Sequence, residues 1–509
     1  MNSTGTGSAT PQATPQADPA AAPVPTSVPA PPAAVGRRPR AARPLESVVF
    51  SAAMLGHRLP WTDAPARLLG LDALTREGAT RQLLAHLRRT HGGAPVRIGT
   101  PFGSFLVPLT PEDTAHLLAR GDADAALGPA VRLTASGHRR GLYRHTDIPA
   151  EALPSAAEVG GLLADDVRRL LEGRLGDGTI GREDWCTGTA RMARRVVVGA
   201  AAAEDRLLSE VLRRAGEAVG SREQGRHDAA LLRRLGPYLE GPDPASVAGR
   251  IGSFPAADAV AAIAHLLDVV SRAAADTAAQ ALALLAVEAC DTPARAVASA
   301  LGHYPPIGAV AHPVRSDFVW EGLAIAAGTE VLAMPARLRE APAPDHDGAG
   351  RSDAAGPSPL CGAPTPCTGA DFAERVAGEI VRGVAAHARP VLIAPRFPRD
   401  RLPHGLDPET LRVAFGPGAG TLPGPRGAGI AARAAVTGRG CAPAAYGSLA
   451  AASATQLDRH AAELEQCAAD SGWNSDAAGE QFRTVLLGHA ERCARAAADV
   501  RRAARRLAD

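Results

Sequence analysis

A cysteine at the junction between a loop and a helix is the residue of this sequence best placed for chemistry. Cys367 begins the Cys-X-Gly of Cys367-Thr368-Gly369, which follows a Pro/Gly-rich loop and precedes an apolar helical pattern. A thiolate at such a junction can be an axial ligand of a haem iron, where it donates electron density and favours O–O bond cleavage. Gly369 would let the backbone pass the ring with no side chain in the way. The alternative is a Pro/Gly loop that carries two incidental cysteines.

Cys361 is the competing thiol, six residues earlier in the same loop. It lacks a following Cys-X-Gly and the helical pattern that begins at Asp371. A helix N-terminus lowers the pKa of a nearby thiol and stabilises its thiolate, so Cys367 is the predicted metal ligand. The two cysteines have no second pair at the spacing typical of zinc sites. The other cysteines are predicted to be small buried hydrophobes: Cys186, Cys290, Cys441, Cys467 and Cys493.

A long apolar segment precedes this loop. Residues 256–288 are nearly all Ala, Val, Leu and Ile and are broken by Asp268, Arg272 and Asp276. A helix that is apolar on most sides belongs in the interior of a protein. The adjacent Asp276 and Thr277 would then be a buried polar pair that needs a partner. The alternative is a threonine that bonds its own helix backbone beside a solvated aspartate.

The order of several segments resembles that of the cytochrome P-450 family, the haem-thiolate monooxygenases. The similar segments lie within residues 46–416 and are Trp185 with residues 190–199, then residues 266–278, 304–306, 320–329, 367–373 and 406–415. The resemblance implies a mainly α fold with a small mixed β-sheet and a haem whose iron is bound by Cys367. It also implies that Asp276 and Thr277 relay protons to iron-bound oxygen. An alignment on residues 281–286 would instead place the alcohol position at Ala278. Because one residue corresponds to about 100° of helix rotation, Thr277 would then point away from the iron.

The sequence also departs from that family. The positions of its Glu-X-X-Arg ion pair are Ser299 and Gly302. His312 stands where an arginine usually meets a haem propionate, and Thr365 replaces the arginine of the ligand loop. Arg315 is the nearest cationic substitute.

Composition limits the remaining possibilities. The chain has 509 residues, a net charge of +2 and seven cysteines. A net charge near zero gives no positive electrostatic potential that would attract nucleic acid. The basic residues are all arginine, which reflects genome composition more than function. The odd, scattered cysteines predict a reducing, cytoplasmic compartment rather than a disulfide framework. No apolar run is long enough to predict a membrane span.

Four regions follow from these patterns. Residues 1–45 are an Ala/Pro-rich tail predicted to be disordered, residues 46–416 the haem-type domain, and residues 417–450 a Gly/Ala/Pro linker. Residues 451–509 carry two apolar stripes at helical spacing, which predict a helical hairpin. The turn with Trp473 and Ser475 resembles that of the Trp-X-Gly hairpins linked to type VII secretion. We expect the hairpin to dimerise, to dock on a protein partner, or to pack on the larger domain.

The predicted function is haem-dependent oxidation of a small apolar molecule, with Cys367, Gly369 and His312 at the haem. Electrons would come from a separate redox protein, because the sequence has no flavin or iron–sulfur motif. The alternative is a non-catalytic relative that acts as a binding or scaffolding module through its hairpin. The missing ion-pair residues favour this alternative, whereas the retained Cys-X-Gly and Asp-Thr favour the enzyme.

Overall fold

The chain folds mainly into helices and also contains three β-sheets. A computed structural model describes residues 36–56, 75–101, 103–133, 139–143, 148–172, 179–219, 221–252, 256–338, 358–395, 397, 402–417, 443–470 and 477–508. The predicted fold class, mainly α with a small mixed sheet, is confirmed. Most of the predicted tail and residues 418–442 of the predicted linker lie outside the described residues.

The helices vary from single turns to more than eight turns. They are α1 (Pro44–Gly56), α2 (Arg76–His91), α3 (Pro111–Ala123), α4 (Ala156–Glu172), α5 (Arg182–Val197), α6 (Arg206–Ala218), α7 (Gln224–Glu240), α8 (Val247–Arg250), α9 (Ala256–Asp268), a π-helical segment (Val269–Ala274), α10 (Ala275–Ala286), α11 (Pro293–His303), α12 (Pro335–Leu338), α13 (Thr368–His387), α14 (Pro443–Asp470) and α15 (Ala477–Ala508). Short 3-10 turns cover Ala150–Ala152 and Ala200–Ala202.

The strands form a seven-stranded, a three-stranded and a two-stranded sheet. They are β1 (Arg40–Ala41), β2 (Val96–Thr100), β3 (Gly103–Val107), β4 (Val131–Leu133), β5 (Arg139–Gly141), β6 (Thr179–Ile180), β7 (Val310–Pro313), β8 (Phe318–Trp320), β9 (Leu323–Ile325), β10 (Glu330–Ala333), β11 (Ala388–Ala394) and β12 (Arg412–Pro417). The largest sheet has the order β1-β2-β3-β10-β7-β4-β5 and is mixed, since β1 pairs with β2 and β3 with β10 in parallel. The other sheets have the orders β11-β12-β6 and β8-β9.

The central helix is continuous, but one π-helical segment changes its hydrogen-bonding pattern. α9, the π-helical segment and α10 run on without a break, and almost every side chain from Ala262 to Leu284 is buried. A helix buried on all sides must pack against neighbours all round, and here these include α5 and α13. The indole N–H of Trp185 donates to the carbonyl of Ala275, just after the π-helical segment, at 3.0 Å. No helix among the described residues combines the length and apolar character needed to cross a bilayer.

The C-terminal region is a pair of long helices. α14 and α15 pack on each other, with Ala454, Ala461 and Ala468 of one helix buried together with Ala490 and Ala497 of the other. The seven-residue spacing of these alanines repeats one helix face every two turns. Arg501 and Asp458 form an ion pair between the helices. α14 already begins within the predicted linker, whereas the turn with Trp473 lies outside the described residues.

Candidate functional site

Cys367 is the N-cap residue of α13. Its backbone is extended, with φ −128° and ψ 115°. The N–H groups of Ala370 and Asp371 donate to its carbonyl at 3.0 and 3.3 Å. The free N–H groups of the first turn give this end of the helix a partial positive charge. The buried thiol of Cys367 therefore lies where a thiolate is favoured.

Two further side chains lie against this thiol. The Nε2 atom of His265, in the last turn of α9, lies 3.4 Å from Cys367 Sγ. The sulfur of Cys361 completes a cluster whose three donor atoms all lie within 4.8 Å of one another, and all three residues are buried. The structure thus joins both cysteines of the loop to a histidine about a hundred residues earlier in the chain.

The contact between the thiols separates their pKa values. The hydrogen bond from Cys361 lowers the pKa of Cys367, and His265 and the Ala370 N–H add to this effect against the opposing influence of burial. The same contact, together with burial, raises the pKa of Cys361 well above its usual range. Since only Cys367 lies at a helix N-terminus, the cluster favours a thiolate on Cys367 that accepts the S–H of Cys361.

Two glycines make this close approach possible. A Cβ atom on Gly369 would lie 3.1 Å from His265 Nε2 and 3.1 Å from a methyl of Leu266, so α9 packs directly on the start of α13. Gly362 has φ +67°, a left-handed conformation that glycine adopts without strain. Its N–H donates to the Ser358 carbonyl at 2.8 Å, which turns the loop back toward Cys367. Gly369 thus faces an imidazole from α9, where the sequence predicted a haem.

A small polar cavity borders the cluster. Its walls include Arg132, Tyr143, His265, Asp268, Arg272 and Cys361. The volume of the cavity is about 10 Å³. A cavity needs roughly 10–15 Å³ by this measure to hold one water. The cavity therefore has room for about one water-sized group.

Charged side chains from β4, from α5 and from the continuous helix α9–α10 meet near this cavity. Asp268 forms an ion pair with Arg272, and Asp276 lies 2.7 Å from the guanidinium of Arg182. Burial lowers the pKa of Arg132, although Asp276 and Asp268 oppose this effect. The backbone of Arg132 pairs with β5 and β7, but its side chain makes no hydrogen bond or ion pair in the part of the chain that the structure describes. Arg182 also pairs with Glu409 at 3.2 Å, so Arg132 is the one arginine of the three that no carboxylate contacts among the described residues.

The described residues do not fit a haem in this conformation. An axial thiolate must have a macrocycle lying over its sulfur, and here the ring of His265 lies against Cys367 Sγ. The neighbouring cavity has room for about one water molecule rather than a porphyrin. The contact of Gly369 with α9 leaves no gap between the two helices at this point.

The other predicted site residues lie apart from the thiols. Asp276 and Thr277 are buried in α10 beyond the π-helical segment, and neither lines the cavity beside Cys361. His312 is buried in β7. Its side chain lies on the same face of the strand as that of Val310, two residues earlier. Val310 is the residue of this strand that packs against Gly362. Arg315 is exposed and lies over Gly128, away from the cavity.

Four residues of the site were not predicted. His265, Asp268 and Arg272 recur at spacings of three and four along an otherwise apolar helix, which places them on one face. This row of polar residues could have been recognised in the sequence. All three of its residues line the cavity, whereas Asp276 and Thr277 do not. Arg132 had no comparable signal, because a single arginine in a short strand is ordinary in sequence.

Comparisons with known proteins address the fold. No protein-family model and no curated protein sequence matches the chain. Similar solved structures include cyanobacterial CYP120A1 with bound retinoic acid (13% identity, 65% of this chain and 93% of that chain covered, TM-score 0.44). Cytochrome P450 CYP109Q5 from Chondromyces apiculatus is 17% identical, with 67% and 96% covered and a TM-score of 0.48. CalO2 is 18% identical, with 53% and 76% covered and a TM-score of 0.40. Likenesses at this level transfer neither a ligand nor an activity to this chain.

Proposed function

We propose that this chain is a non-catalytic member of the haem-thiolate fold that works as a binding module. The single observation that carries this proposal is the contact of His265 Nε2 with Cys367 Sγ at 3.4 Å, where a haem-thiolate enzyme needs its macrocycle. The substitution of both Glu-X-X-Arg positions, by Ser299 and Gly302, supports the same conclusion. The partner surface is the helical pair α14–α15, which leaves Leu487 exposed.

The compartment that suits this proposal is the cytoplasm. Cys361 and Cys367 are free thiols although their sulfur atoms lie within 4.8 Å of each other. Neighbouring thiols remain reduced where glutathione and thioredoxin systems keep the environment reducing.

A second candidate is the haem-dependent monooxygenase that the sequence predicts. The observation in its favour is Cys367 itself, whose thiolate is stabilised at the N-terminus of α13. When bound, haem would supply oxygen activation, and a small apolar molecule and an electron-donating redox protein would be the partners. This candidate requires α9 to withdraw from Gly369 and His265 to leave the sulfur.

A reduced carbon monoxide difference spectrum separates the two candidates. The full chain is expressed with added haem precursor, alongside Cys367→Ala and Cys361→Ala. We expect wild type and both variants to show the same absence of a thiolate-type Soret band. A thiolate-type band that Cys367→Ala abolishes and Cys361→Ala leaves would overturn the binding-module proposal in favour of the monooxygenase.

A further inference from the structure

We propose that His265, Cys361 and Cys367 bind one transition-metal ion of the zinc class. The donor set is one imidazole nitrogen and two sulfurs, all buried and mutually within 4.8 Å. With metal–sulfur and metal–nitrogen bonds typical of zinc, a tetrahedral N···S edge is roughly 3.5 Å. The distance from His265 Nε2 to Cys367 Sγ is 3.4 Å. This pair of donors therefore already has the separation that a shared metal ion requires, and the sulfur of Cys361 lies within 4.8 Å of both.

The three donors are held by separate, well-anchored elements. Cys367 caps α13, and its position is fixed by backbone hydrogen bonds from Ala370 and Asp371. Cys361 precedes the left-handed Gly362, in a turn closed by the hydrogen bond from Gly362 N–H to the Ser358 carbonyl. His265 is held by the packing of α9 on Gly369. Binding would thus require little reorganisation of the protein.

The coordination would be incomplete on the side of the cavity. No fourth His, Cys, Asp or Glu joins this cluster within the residues that the structure describes. His265 and Cys361 both line the cavity, which has room for about one water-sized group. Three protein ligands with a fourth position for water or a small anion are typical of reactive rather than purely structural zinc sites. Arg132 lines the same cavity and gives an anionic fourth ligand a favourable charge.

The donor chemistry selects the metal. Thiolate and imidazole ligands favour zinc and similar soft or borderline ions, whereas magnesium and calcium prefer oxygen ligands. Binding replaces thiol protons by the metal and releases those protons to solvent. The metal site and a haem site need different residues. Haem iron would be bound by Cys367 alone, whereas a bare metal ion would be bound by His265, Cys361 and Cys367 together. The inference therefore goes beyond the binding-module proposal and can fail separately from it.

The test uses the full chain, stripped with a chelator and then titrated with Zn²⁺ and with Co²⁺. We expect one metal ion per chain and a thiolate-to-cobalt charge-transfer band in wild type. Cys361→Ser, Cys367→Ser and His265→Ala should each weaken Zn²⁺ binding by at least about a hundredfold. Cys290→Ser is the matched control and should bind as wild type does, because this free cysteine is not part of the cluster.

Two outcomes would overturn the metal site: wild type that binds neither ion, or Cys361→Ser that binds Zn²⁺ as tightly as wild type. If a variant fails to fold, X-ray absorption of the zinc-loaded wild type decides instead. It should find two sulfur ligands and one imidazole, and a metal shell without sulfur would refute the proposal. A chain with neither metal nor haem would remove this inference and leave the binding-module proposal standing.

Discussion

Two buried polar clusters of this molecule differ in how completely their groups are paired. Asp205 caps α6 and accepts hydrogen bonds from the Leu208 N–H at 3.1 Å, Arg234 at 2.7 Å and the Tyr238 hydroxyl at 2.9 Å. Beside the thiols, by contrast, the side chain of Arg132 has no hydrogen bond or ion pair among the described residues, although Cys361, Cys367 and His265 are hydrogen-bonded to one another. A fully paired cluster stabilises a fold, whereas an incompletely paired one is typical of a site that awaits a ligand.

The largest expected effect comes from breaking the paired cluster. Asp205→Ala removes a helix cap and leaves Arg234 and Tyr238 without their acceptor, so we expect a loss of about 2–3 kcal/mol in the free energy of unfolding. Urea unfolding followed by circular dichroism measures this loss. Glu491→Gln is the control, because its ion pair with Arg495 is exposed and should contribute less than about 0.5 kcal/mol. A loss for Asp205→Ala no larger than that of the control would show that the paired cluster is not stabilising.

The pH dependence of the same variant sharpens the comparison. Burial raises the pKa of Asp205, but the hydrogen bonds from Arg234, Tyr238 and the Leu208 N–H outweigh it, so the pKa is lowered overall. An acid with a lowered folded pKa contributes its full stability above its usual range, and this contribution disappears as pH falls through the folded value. The stability difference between wild type and Asp205→Ala should therefore shrink in acid. A difference that stays constant down to strongly acidic pH would contradict this account.

A smaller effect on the free energy of unfolding is expected from a substitution where α9 packs against α13. Gly369→Ala should cost about 1 kcal/mol, because the added methyl displaces His265 or Leu266 from close contact. Gly378→Ala is the matched control on the same helix, where an added methyl meets nothing within 4 Å. It should stabilise the protein by up to about 1 kcal/mol, since alanine favours a helix over glycine. Thermal unfolding of the two variants should shift in opposite directions, and a shift in the same direction would argue against close packing at Gly369.

The smallest expected effect on the free energy of unfolding comes from Arg132, beside the thiols. Arg132→Met removes a half-buried charge while the Asp268–Arg272 and Asp276–Arg182 pairs keep their partners. We expect stability to stay unchanged or to rise by up to about 1 kcal/mol, opposite in sign to Asp205→Ala. Urea unfolding at neutral pH tests this sign. A loss above about 2 kcal/mol would mean that Arg132 is a structural residue.

Sequence patterns predicted the helical fold better than the site. The nearly continuous apolar composition of residues 256–288 and the apolar stripes of residues 451–509 depend on burial alone. The described residues of both segments are helical as expected, up to Ala286 in the first. The π-helical segment Val269–Ala274 was not predictable from that composition. It adds a residue to one turn and changes which side chains share a face, so Asp276 and Thr277 lie away from the cavity that Asp268 and Arg272 line.

Long-range contacts explain the rest of what the sequence did not reveal. The sequence contained no pair of cysteines spaced as in a zinc site, and the third donor of the cluster, His265, is separated from Cys367 by about a hundred residues. Arg132 reaches the same cavity from β4, which lies between β7 and β5 in the sheet. Such proximity follows from the packing of α9, α13 and the large sheet, which local patterns do not specify.

A crystal structure of the full chain grown after incubation with excess haem tests the central claim most directly. The account predicts that His265 Nε2 stays in contact with Cys367 Sγ, near the present 3.4 Å or bridged by a single metal ion, with no porphyrin between α9 and α13. A haem seated over Cys367, with His265 moved away from the sulfur, would contradict it.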